Sequence, residues 1–217
     1  YYEVILGTYQ TSSFPARYDF TTQFQFHCIT KVNDTILSSA SAYRGGVQAM
    51  AFNYDSYAIG GYSIALGMQS WATNFASLSM GYNSKAVNYQ SIAMGANSFS
   101  SGENSITLGG NSIASGYNSI AMGRGSLASG FDGLTLGANS QAKGGDSIAF
   151  GYESKANGSY SMAFGGLSQA NGNQSMAFGY WSHAKNSGTI VFAFHGKSFQ
   201  DYQTIFGIYN AEETGAL

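Results

Sequence analysis

Residues 91–123 read SIAMGANSFSSGEN SITLGGNSIASGYN SIAMG, two units of fourteen residues and the start of a third. A five-residue phrase ending in glycine, such as Ser91-Ile92-Ala93-Met94-Gly95, alternates with a second phrase such as Ser112-Ile113-Ala114-Ser115-Gly116. Working outward, the glycine recurs at Gly67, Gly81, Gly95, Gly109, Gly123, Gly137, Gly151, Gly165 and Gly179. Gly207 keeps the same register, and Asn53 and Ala193 occupy it without glycine. Self-similarity at a fixed short period marks a stacked-repeat architecture in which each unit touches chiefly its neighbours.

Fourteen residues are too few for a strand and a helix, so two short strands and two turns are expected. In Ser-Ile-Ala-Met-Gly, side chains alternate in size, and strand side chains alternate between faces. Small residues (Ser91, Ala93, Ser119, Ala121, Ser147, Ala149) therefore share one face, where two layers of strand can approach closely. Bulky residues share the other: Ile92 and Met94, Ile120 and Met122, Ile148 and Phe150, Met162 and Phe164, Met176 and Phe178. Each closing glycine suits a turn with φ > 0. The register from Asn53 to Gly207 gives twelve rungs, a rod of roughly 55 Å at the usual strand spacing.

Composition narrows the function classes. The 217 residues include 29 glycines, one proline and 15% aromatics, with only 9% charged and a net charge of -2. That is unlike a disordered chain, and it gives no electrostatic reason to expect nucleic acid as a partner. No apolar run reaches the ~20 residues of a membrane-spanning helix, so no membrane insertion is expected of this segment. The single cysteine, Cys28, has no intrachain partner. The absence of an initial methionine reads as a piece of a longer chain.

The bulky ribbon predicts self-association. Burying each such side chain is worth about 1.5–3 kcal/mol, and a long apolar stripe marks an interaction surface. Closure about an axis parallel to the stack would bury it.

Candidate chemistry is sparse. His27 and Cys28 are adjacent and so face opposite ways on a strand, which argues against a metal pair. His183 shares its repeat position with Lys155, Gln169 and Lys197 and reads as a solvated surface residue. Asp132, Asp146, Glu103 and Glu153 are scattered among turns rather than paired, and Gly144-Gly145-Asp146 is a single faint match to calcium-binding repeats. No catalytic residue, metal site or cofactor is expected. The outward row of the second strand is more informative: Tyr57, Trp71, Lys85, Phe99, Ile113 and Leu127, then Gln141, Lys155, Gln169, His183 and Lys197. Its apolar half is covered by a neighbouring chain or the N-terminal segment, binds glycan through its aromatic faces, or packs fibres laterally. Trp71, Phe99, Ile113, Leu127, Tyr180 and Trp181 are the candidate surface-binding residues.

The repeated phrases resemble the head repeats of trimeric autotransporter adhesins and of related phage and viral tail fibres, over about residues 50–207. That resemblance implies a left-handed parallel β-roll, three chains about one axis, and attachment to cell surfaces through a glycan or protein receptor. It places the chain outside the cell, on a virion or a bacterial surface. Phe206-Gly207-Ile208-Tyr209-Asn210 is similar to the segment that closes such repeats in phage fibres. The expectation is thus an all-β, homotrimeric and non-enzymatic fibre segment. Residues 1–49 would form a β cap or the end of a preceding module, 50–207 the roll, and 208–217 the start of a connection onward. The alternative is the shaft of a fibre-borne enzyme, such as a glycan depolymerase, whose catalytic part lies elsewhere.

Overall fold

The structure is a computed structural model that describes residues 29–32, 35–39, 42–44 and 48–208, with side chains from residue 48 onward. The expectations for His27, Cys28, Tyr209 and Asn210 lie outside the described residues. Ile29–Val32 and Thr35–Ser39 form an antiparallel pair. From Ala42 the chain is a parallel β-roll without a helix among the described residues. Strand Ala42–Arg44 already pairs in parallel with Ser56–Ala58, so the stack begins before residue 50.

Each fourteen-residue turn of the roll places one strand in each of two sheets. The first sheet has twelve strands, from Met50–Phe52 through Ile92–Met94 and Ile120–Met122 to Thr204–Gly207. The second has eleven, from Ala42–Arg44 to His183–Ala184, and Lys197 continues it by a bridge to His183. Pairing is in register throughout, with Ile92 opposite Ile106 and Met94 opposite Leu108, so identical repeat positions stack in columns. Rungs are joined by backbone bonds such as Ile92 N–H to Ser105 O at 2.8 Å.

Alternation decides what lies between the sheets. The middle residue of each first-sheet strand points in, and the residues on either side point out, which gives a half-buried, buried, half-buried pattern in Ile92–Met94 and Ile120–Met122. The interior is alanine, serine and threonine at essentially zero exposure, and its largest member is Val191. A serine precedes most strands. The buried Ser119 hydroxyl donates to Gly116 O at 2.7 Å, and the Ser119 N–H bonds the same carbonyl at 3.3 Å. These bonds close four-residue turns whose third residue has positive φ, the pattern of a type II turn.

The two glycine columns are needed for different reasons. Gly123, at φ +121°, sits where a side chain is strained, and a Cβ there would lie 2.5 Å from Gly137 O. Gly116 has ordinary φ, but a Cβ would fall on the Gly130 carbonyl of the next rung. The first column follows from a backbone angle; the second follows from the local approach of the next rung's carbonyl, and Asn74, Asn88 and Asn186 take the same repeat position.

Candidate functional site

With an interior this small, the chemistry of the molecule lies on its two outer faces. On the first sheet the two outward rows run Met50, Ile64, Leu78, Ile92 and onward, and Phe52, Leu66, Met80, Met94 and onward. From Met50 to Phe206 every outward residue of this sheet is apolar except Thr204. Ile92, Met94, Ile120, Met122, Ile148, Met162, Phe164, Met176 and Phe178 are half-buried there, and Phe150 is 47% exposed. The third position becomes an aromatic ladder: Phe150, Phe164, Phe178, Phe192 and Phe206 stack with centroids 5.8, 4.9, 4.6 and 5.4 Å apart. Among the described residues nothing covers this ribbon.

The second sheet presents a divided face. Its first outward row is the one read from the sequence, Tyr57 through Lys197, one residue per rung. Trp71 and Ile113 are exposed, whereas Phe99 and Leu127 are half-buried. Tyr57 packs on Trp71 at 4.9 Å, and the Lys85 ammonium lies 5.5 Å from the Trp71 ring. Beyond residue 140 the face is amide and amine. His183 differs from the expected solvated residue: it is half-buried between the rungs of Gln169 and Lys197, and its Nε2 is buried without a partner. Burial lowers its pKa, and the nearby Lys197 and Lys185 charges lower it further.

Tyr180 and Trp181 are not on a sheet. They project from the turn leading from the first sheet to the second, both exposed. Trp181 takes positive φ (57°). Its ring lies 4.6 Å from that of His195, and Tyr180 stacks on Phe194 at 5.6 Å. These two residues are therefore remote in the fold from Trp71, Phe99, Ile113 and Leu127. The glycines Gly67, Gly81, Gly95, Gly109, Gly123, Gly137, Gly151, Gly165, Gly179 and Gly207 all have φ between +114° and +153°.

The turns also hold a feature that the fourteen-residue reading passed over. Serine recurs every seven residues, and so does a residue with positive φ, which is most often Asn in the middle rungs: Asn83, Asn97, Asn104, Asn111, Asn118. Asparagine tolerates that region better than other side chains, and its amide then ladders along the stack. Asn83 Nδ2 donates to Asn97 Oδ1 at 2.9 Å, and Asn118 Nδ2 donates to Asp132 Oδ1 at 2.9 Å. The Asn-Ser spacing was the available signal. Among the described residues no group of three or more His, Cys, Asp or Glu side chains is placed to hold a metal ion.

Comparison with known families matches the family described as "YadA head domain repeat (2 copies)" to residues 72–98, 100–126, 128–154 and 156–182. Comparison with curated proteins gives no match. Among solved structures, the collagen-binding domain of the Yersinia adhesin YadA aligns at 20% identity with a TM-score of 0.43, covering 88% of this chain and 83% of that one.

Proposed function

The chain belongs to the YadA head-repeat family, and from that premise we propose that it is a structural and adhesive segment of a homotrimeric fibre outside the cell. Three copies pack about an axis parallel to the stack with their first sheets inward. The observation that carries this is the inversion of the usual order of burial. The fully buried interior holds nothing larger than Val191, with half-buried Ile205 packed against its end, while two rows of Ile, Leu, Met and Phe stand outside. Alanine offers one methyl to bury, at roughly 0.8 kcal/mol per carbon, which is little against the entropy of ordering the chain. The missing stabilisation is supplied by covering the ribbon.

In that arrangement the second sheets face outward and meet the environment. The fibre attaches to a cell surface through a glycan or protein receptor, or it holds another adhesive module away from its base. A bacterial surface is the home that fits the family. The Phe206-Gly207-Ile208 ending supports a phage tail fibre as the second reading. A direct test is to couple the protein to beads and count those retained on cultured cell layers. The proposal expects retention well above beads bearing the unassembled Met122→Asp variant. Equal retention would remove the adhesive part of the proposal.

A further inference from the structure

We propose that the C-terminal half of the second sheet's outer face is a binding site for a sulfated polysaccharide chain lying along the fibre axis. This rests on the arrangement above, in which that face points outward.

Over the rungs from Gln141 to Lys197 the outward residues are four lysines, His183, two glutamines and two asparagines. None is acidic, and the one apolar side chain among these rungs is Phe199, half-buried beyond Lys197 at the repeat position of Lys185. Lys143 and Lys185 are exposed in one column, while Lys155 and Lys197 are half-buried in the other. The lysines of each pair stand three rungs apart, roughly 14 Å at the usual strand spacing. The six carboxylates of residues 48–208 all lie in turns. Asp146 lies in the turn three residues after Lys143; of the other two near the patch, Asp201 accepts from Ser187 N–H at 3.0 Å, and Glu153 accepts from the Tyr152 hydroxyl. Lys185 and Lys197 stand beside His183, and after burial their charges help hold its pKa down.

A flat ladder of ammonium and amide groups suits a linear polymer that alternates anions with hydroxyls. Ammonium groups pair with sulfate, and the amides serve hydroxyls. Single-stranded nucleic acid would need a row of aromatic platforms for its bases, and these rungs offer one aromatic carbocycle, the half-buried Phe199 at their end. Three copies around the axis would multiply a weak contact.

The test is titration of the full chain with heparin at low and physiological salt, with solution mass measured in parallel. Binding should weaken steeply with salt, and replacing all four lysines (K143Q/K155Q/K185Q/K197Q) should weaken it about a hundredfold or more. Lys85→Gln, on the aromatic half, should change it less than twofold. Equal binding by the quadruple variant would overturn the site. Equal binding of chemically desulfated heparin, or of a single-stranded DNA oligonucleotide, would overturn the ligand. A trimer that ignores heparin defeats this inference alone, whereas a monomeric wild-type chain defeats the assembly beneath it.

Discussion

Removing fourteen residues and removing seven should have opposite consequences. Deleting 96–109 takes out one full rung. It joins Gly95 to Gly110, and strand Ile92–Met94 then pairs directly with Ile120–Met122. Both faces keep their residues, so assembly should persist in a rod about 4.8 Å shorter. Deleting 96–102 joins Gly95 to Glu103 and removes one strand, Phe99–Ser100. Because small residues line both sheets inside, the interior still reads correctly. Every later strand, however, changes sheets. From Ile106–Leu108 to Ile190–Ala193, seven rungs of bulky pairs move to the outer face, and Lys155, His183 and Lys197 move to the axis. These bulky side chains are mostly half-buried within one chain, so each loses about 0.7 kcal/mol of further burial, or about 10 kcal/mol per chain. Lysines brought to the axis add an unpaired-charge cost. The assay is solution mass with thermal unfolding by circular dichroism. The fourteen-residue deletion should remain assembled, and the seven-residue deletion should be monomeric or aggregated. Assembly of both with similar melting would show that the outer faces do not direct association.

Met122→Asp should abolish assembly by placing three charges about the axis, while Lys155→Asp should leave the mass unchanged; equal assembly of the two would mean that the faces are reversed. Gly123→Ala meets both a positive φ and the Gly137 carbonyl, and it should cost about 1–3 kcal/mol, read as a lowered denaturation midpoint. A midpoint equal to wild type would refute the turn geometry. His183 has its pKa lowered in the folded chain, so the unfolded state binds more protons just below pH 6.5. Stability should therefore be full above that pH and fall as the pH drops toward the folded pKa. His183→Gln should flatten the fall in melting temperature between pH 7 and 5, and an unchanged slope would assign it to other groups.

The fold was legible because one rule repeats. Ser-Ile-Ala-Met-Gly fixes a strand, its inward residue and its closing turn, and twelve copies make the register unambiguous. The bulky ribbon was legible for the same reason, since alternation alone puts Ile120 and Met122 on the face opposite Ala121. Three things were harder to see. The seven-residue half-period was hidden because the two strands differ, one carrying a bulky outward pair such as Ile120 and Met122 and the other a mixed row, although glycine, serine and the positive-φ residue recur in both turns from Gly102 to Gly179. The need for glycine at Gly116 comes from the carbonyl of the next rung, a contact between residues fourteen apart. The burial of His183 depends on Gln169 and Lys197 flanking it from adjacent rungs, which a residue's own strand does not reveal. Tyr180 and Trp181 fell into one candidate set with Trp71 and Phe99 because all four are aromatic; their place in the repeat, turn against strand, separates them.

The central claim is that the ribbon on the first sheet is buried by two further copies of the same chain. Light scattering coupled to size exclusion measures this directly on the purified protein. The account predicts a mass near three times 22.9 kDa, independent of concentration over the micromolar range. A stable, soluble, folded monomer of 22.9 kDa would contradict it.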